Sequence, residues 1–263
     1  MNARFQAALT ARRLSSIVVA AVLLLGFAAT AQTTNGLSPA EINGRQLAAE
    51  ILSVTPATNF TQSGILRIRN SEGTTNLPIT FDTRLAPDEW RVAYSALFGQ
   101  AGPVVNLEIV HPYGRPNRYL FAKDNGTNSD GLESLSSLSQ SQIMAPFAGS
   151  DFWIADLGLE FFHWPEQKIT GHETRRMRDC TVLESDNPDP ANGYSKVVTW
   201  VDNPTLGIIH AEAYDPNGKL LKVFDPKSLK KVNGQWELQD IEIRNVQTRS
   251  RTWIRFDLSD GKS

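Results

Sequence analysis

The chain has 263 residues, 41% of them hydrophobic, with 26 basic against 28 acidic side chains and a formal net charge of -2 at pH 7. This balance lacks the basic excess that nucleic acid or an anionic membrane surface would demand, and so argues against either as the main partner. The single cysteine, Cys180, excludes an internal disulfide and a cysteine-based structural zinc site within one chain.

At the N-terminus, Arg4, Arg12 and Arg13 precede an apolar run from Ile17 to Phe27 and the small residues Ala29-Thr30-Ala31. These are the three parts of a secretory signal, so residues 1–31 are expected to be removed and the mature chain to begin at Gln32 in the periplasm. The apolar run is shorter than the about 20 residues a bilayer-spanning helix needs, and no cysteine follows the cut to receive a lipid. The leader carries no acid, which makes the mature chain more acidic than the whole. The remaining residues, 32–263, fit one domain better than two.

Ser38, Pro39 and Glu41 form a capping box, and Ile42, Leu47, Ile51 and Leu52 give one apolar face, so a helix is expected over Leu37 to Leu52. From Gly64 the period becomes two. Leu66 and Ile68 alternate with Arg67 and Arg69, Trp90, Val92 and Tyr94 with Arg91, Ala93 and Ser95, and Val105, Leu107 and Ile109 with Asn106 and Glu108. Such strands have one packed and one wet face, as in an antiparallel sheet. Gly126 to Gln142 is rich in Ser, Gly and Asn and reads either as a mobile loop or as the approach to the helix that follows.

An apolar helix is then expected from Ser150 to Trp164, with Ser150 as its N-cap, Asp151 in its first turn and Asp156 facing solvent. Strands resume over Lys168 to Glu184, Ser195 to Asp202, Gly207 to Tyr214, Leu220 to Asp225, Gln235 to Val246 and Arg251 to Leu258. Trp236 and Leu238 have the opposite parity to Ile241 and Ile243, which places a bulge near Gln239 and Asp240. Asp215-Pro216-Asn217-Gly218 and Val232-Asn233-Gly234 read as turns.

Four stretches, taken in order and spacing, resemble a known family: Gly149-Ser150-Asp151-Phe152-Trp153-Ile154-Ala155-Asp156-Leu157, Arg178-Asp179-Cys180-Thr181-Val182-Leu183, Tyr194 to Asp202, and Tyr214-Asp215 ahead of Gly218-Lys219-Leu220-Leu221-Lys222. They are similar to the bacterial outer-membrane lipoprotein-sorting proteins, relatives of the periplasmic lipoprotein carrier LolA. The resemblance implies an α+β, mainly β fold: a strongly curved antiparallel sheet, an incomplete barrel, with helices over a concave apolar face that receives acyl chains.

Catalytic patterns are weak. His111, His163, His172 and His210 show neither HxH nor HExxH spacing, no GxSxG elbow surrounds a serine, and no glycine-rich phosphate loop follows a strand. No catalytic residue, metal ligand or cofactor is therefore assigned, and Cys180 is expected to be buried and unpaired. The aromatic residues say more. Phe152, Trp153, Phe161, Phe162 and Trp164 crowd a short segment, more than a surface helix needs to cover its own footprint. Trp90, Tyr94, Phe152, Trp153, Phe161 and Trp200 are the expected lining of an acyl-chain cavity. The partners expected are lipoprotein acyl chains or another lipid, with inner- and outer-membrane donor and acceptor proteins. Two other readings stay open: an envelope sensor or interaction module of the same fold, and a hydrolase using His111 or His210 with an acid brought close by folding.

Overall fold

The computed structural model describes residues 36–99, 102–124, 135–232 and 235–258. The expected leader, the first part of the segment read from Gly126 to Gln142 and the expected turn at Asn233-Gly234 lie outside the described residues.

Among the described residues, thirteen strands form one antiparallel sheet in the order β6-β5-β4-β3-β2-β1-β13-β12-β11-β10-β9-β8-β7. The first run comprises β1 (Phe60–Asn70), β2 (Gly73–Leu85), β3 (Glu89–Leu97), β4 (Val104–Pro112), β5 (Arg118–Asp124) and the two-residue β6 (Ser136–Ser137). The second comprises β7 (Glu166–Arg175), β8 (Arg178–Asp186), β9 (Lys196–Asp202), β10 (Ile208–Tyr214), β11 (Leu220–Val232), β12 (Gln235–Asn245) and β13 (Ser250–Phe256). Pairing of β1 with β13, from Gly64 opposite Phe256 to Arg69 opposite Arg251, joins the two runs. β6 and β7 do not pair, so the sheet is not closed into a barrel.

Between them the chain crosses the inner face. It runs through α2 (Gln140–Ile143), a 3-10 turn at Phe147–Gly149, α3 (Ile154–Gly158) and a second 3-10 turn at Glu160–His163, while α1 (Pro39–Ser53) packs on β7 and on that last turn. The crossing shows that the sheet is curved. The ring hydroxyl of Tyr119 on β5 is hydrogen-bonded to Glu160, Asn117 just before β5 binds the Gly158 carbonyl, and Lys222 on β11 reaches Asp156. In sheet order β5 and β11 are seven spacings apart, about 34 Å in a flat sheet. Side chains stand roughly perpendicular to a sheet and add little lateral reach, so the sheet itself wraps around the crossing segment.

The strand reading holds for β3, β9, β10, β12 and β13, with bounds shifted by a residue or two, while β4 runs three residues past Ile109 and β11, expected to end at Asp225, continues to Val232. The bulge is where the parity change put it: Ser228 pairs with Asp240 and Leu229 with Leu238, which leaves Gln239 unmatched. Four expectations are corrected. β2 was unread because Thr74, Thr75, Asn76 and Pro78 hide the buried alternation Leu77, Ile79, Phe81, Thr83. Lys168 to Glu184 is two strands, turned by Arg176 and Met177, both with positive φ (52° and 59°), a left-handed pair that hairpin twist favours but that Gly or Asn usually occupies. Ile42 is exposed, and the buried face of α1 is instead Gly44, Ala48 and Ile51. The aromatic segment is no continuous helix, because Leu159 adopts φ 53° and breaks it after five residues.

The small residues of α1 have a steric cause. A Cβ on Gly44 would lie 2.6 Å from the Lys168 backbone nitrogen, so the helix meets β7 backbone to backbone. Gly44→Ala is expected to lower stability by about 1–3 kcal/mol in urea unfolding, since overpacking against a backbone outweighs the about 1 kcal/mol that Ala gains in helix propensity. A more stable variant would show that α1 can shift outward freely.

Candidate functional site

Three buried acids hold the crossing segment to three sectors of the sheet. Asp151 accepts hydrogen bonds from the Ser250 and Thr252 hydroxyls of β13, and its own backbone N–H donates to Thr252 Oγ1 at 2.9 Å. Asp156 accepts from the Tyr194 hydroxyl at 2.8 and 2.9 Å and from the Trp153 N–H at 2.8 Å, with the Lys222 ammonium 3.4 Å away. Glu160 accepts from the Tyr119 hydroxyl at 2.8 Å and from Gln140 at 3.1 Å. The expected roles of Asp151 as a helix-dipole partner and Asp156 as a solvated acid are thus replaced by buried anchors. Ser150 caps no helix either; its Oγ bonds the backbone of Phe152.

The six residues expected to line a cavity do not come together. Tyr94 and Phe152 are fully buried in a filled core, Tyr94 edge-on to Phe81 and Phe147. Trp153 stacks on Tyr194 at 4.5 Å. Trp200 belongs to a separate cluster with Cys180 and Val182 on the outer face of the sheet, where its indole N–H donates to Glu173 and the Arg175 guanidinium covers its ring. Its strand neighbours Val197 and Val201 have the opposite parity and face the main core, so Trp200 cannot line the concave side. Phe161 and Trp90 do border open space, but in different places.

Trp90 lies in a cleft of about 630 Å³ between α1, the end of the β3–β4 pair and residues 162–165, with Ala48, Ala49, Leu52, Phe162 and Trp164 in its walls and Arg45 and Arg115 at its exposed rim. His111 stacks on Trp90 at 3.9 Å and is bonded through Nδ1 to Asn117 Oδ1 at 2.7 Å. Phe161 borders a small inner cavity of about 30 Å³, together with Leu159, Ile208, Ala211, Ala213, Phe224, Tyr194 and Lys222. The adjacent residues Phe161 and Phe162 thus face the inner cavity and the cleft respectively. Among the described residues the space beneath the aromatic segment is this small cavity, because three short turns let the aromatic side chains pack among the strands.

Lys222 is 2% exposed, with its ammonium 3.7 Å from the Trp153 ring and 5.1 Å from that of Tyr194. Burial draws its pKa down to about 8, against the opposing pull of the Asp156 and Asp151 carboxylates. Burial and then the Asp156 charge push the Tyr194 hydroxyl well above its usual value, which keeps it a donor. Neither residue received a role from sequence. The available sign was parity, since Lys222 shares the inward face of β11 with Phe224, and a lysine there is a buried charge.

On the outer face His210 is bonded to Asp225 at 2.8 Å and to Glu212 at 3.2 Å, but Asp225 also pairs with Arg176, Lys227 and Arg244, and Glu212 accepts from Tyr214. This is an ionic network in which the acids are already engaged. Cys180 is 1% exposed, and burial raises its thiol pKa. Labelling of the native protein by a thiol reagent is expected to proceed only as fast as the fold opens, and prompt reaction in native buffer would contradict this.

A family model described as an uncharacterized protein matches residues 130–260. No curated protein matches the chain. Among solved structures, a DUF1329 family protein from Desulfovibrio piger superposes with a TM-score of 0.65 at 17% identity, covering 85% of this chain and 96% of that one. A domain assigned to outer membrane lipoprotein sorting from Vibrio parahaemolyticus gives 0.66 at 18% identity, over 83% and 92%. A LolA superfamily protein from Nitrosomonas europaea gives 0.53 at 17% identity, over 85% and 96%. The fold is that of the LolA-like proteins.

Proposed function

We propose that this LolA-like chain is a periplasmic carrier that holds the acyl chains of a lipid or lipoprotein and passes them on without covalent chemistry. The observation that supports it best is the cleft of about 630 Å³ beside Trp90, which falls within the roughly 300–1,000 Å³ of small-molecule sites and has largely apolar walls. Burial of apolar surface at about 25 cal/mol per Å² supplies affinity there with few directional bonds, as a carrier that must also release its cargo requires. Donor and acceptor proteins at the two membranes belong to the same reading.

Titration with an acyl-chain fluorophore is expected to saturate on the wild type. Ala49 is exposed on α1 and faces the cleft, so Ala49→Trp fills the cleft with little disturbance to the core. It should weaken binding at least about tenfold, the effect of losing 1.4 kcal/mol of contact. No saturable binding by the wild type, together with recovery of one defined protein and no lipid from the periplasm, would favour an envelope sensor instead.

A further inference from the structure

Lys222 is poorly satisfied where it stands. An ammonium has three protons to donate, and among the described residues the one acidic oxygen near it, Asp156 Oδ2, is 3.4 Å away, beyond the about 2.7–2.9 Å of a charge-assisted hydrogen bond. Asp156 does not depend on it, because Tyr194 and the Trp153 N–H already bond its carboxylate at 2.8 to 2.9 Å. The other close neighbours of the ammonium are the ring faces of Trp153 and Tyr194. Lys222 also borders the inner cavity, whose remaining walls are mainly apolar side chains such as Leu159, Phe161, Ile208 and Phe224. That cavity, about 30 Å³, has room for about two waters, the size of a carboxylate group.

We infer that Lys222 receives the carboxylate of the cargo, so that the preferred ligand of the acyl site is a fatty acid bound with its head inward. The inference rests on the carrier reading and narrows it. Phe161 lines the cavity and its neighbour Phe162 the cleft, and both would turn aside so that the head reaches Lys222 while the chain occupies the cleft. The carboxylate supplies the short acceptor that the ammonium lacks. Tyr194 keeps its proton on Asp156, and the two acids facing Lys222, Asp156 and Asp151, pull against burial to keep the lysine charged near neutrality. An ester or alcohol head offers no charge and gains much less in so apolar a place.

Calorimetric titration of the full chain with laurate, dodecanol and methyl laurate tests this. At pH 7 the wild type is expected to bind laurate at least about tenfold more tightly than the other two, the size of one charge-assisted bond. Lys222→Met should bring laurate down to the affinity of dodecanol, and Lys222→Arg should restore part of the preference. In the wild type alone the preference should shrink above pH 9 as the ammonium loses its proton, a readout that needs no variant. Equal binding of all three ligands, or an unchanged preference in Lys222→Met, overturns the inference and leaves the carrier standing. Failure of all three to bind defeats the carrier reading as well.

Discussion

Asp156→Ala is expected to lower the unfolding free energy by about 3–5 kcal/mol, the usual result of removing one member of a buried charged network. The carboxylate is 9% exposed and accepts from Tyr194 with both oxygens and from the Trp153 N–H. Alanine leaves that hydroxyl, that N–H and the Lys222 ammonium buried without their acceptor, and each such loss costs about 1–3 kcal/mol. Asp156→Asn keeps an oxygen for one donor and should lose less. Urea unfolding followed by near-ultraviolet circular dichroism is the measurement, because Trp153 and Tyr194 stack in this cluster and report on it directly. A loss below 1 kcal/mol for the alanine variant would mean that the crossing segment is held by its aromatic packing alone and that the three acids are incidental.

How much of this was legible beforehand depended on the range of the interaction. The capping box at Ser38 and Glu41 involves residues three apart, and it forms as read, with Ser38 N bonded to Glu41 Oε2 at 2.7 Å. The bulge at Gln239 follows from parity within a single strand. Leu159 was different. Nothing local marks a leucine for a left-handed conformation, and the neighbouring glycine suggests the wrong residue. Gly158 is small for another reason, since a Cβ there would lie 2.1 Å from the Tyr119 hydroxyl. That glycine is thus set by β5, 39 residues upstream in sequence and visible only in the fold. Trp200 shows the same limit. Its strand is buried on both faces, so apolar character alone could not say which side it takes. The candidate site shows the same limit: Trp90 and Phe161 border two separate spaces, and Lys222 and Tyr194 acquire meaning only when the sheet curves to bring Asp156 between them.

The stability of the wild type is expected to rise between pH 8 and 10 relative to Lys222→Met, by about 2–3 kcal/mol. Lysine in the unfolded chain holds its proton to about the usual 10.5, whereas burial lowers the folded value to about 8. Below pH 8 both states carry the charge, and the folded state bears the full cost of burying it. Within the window the unfolded chain binds more protons than the folded one, and stability must then increase with pH. Tyrosine acts in the opposite sense, but later. Tyr194 and Tyr214, the latter raised to about 12, hold their protons longer when folded and withdraw stability only above pH 10. Cys180, whose thiol burial also raises, acts in the same sense as the tyrosines and within this window, so the rise is assigned to Lys222 through the difference from the methionine variant, which removes contributions from groups that the substitution leaves unchanged. Urea unfolding at a series of pH values supplies both curves. If they run parallel from pH 7 to 10, Lys222 keeps its ordinary proton affinity in the fold, and its buried ammonium is satisfied by something other than the long contact to Asp156.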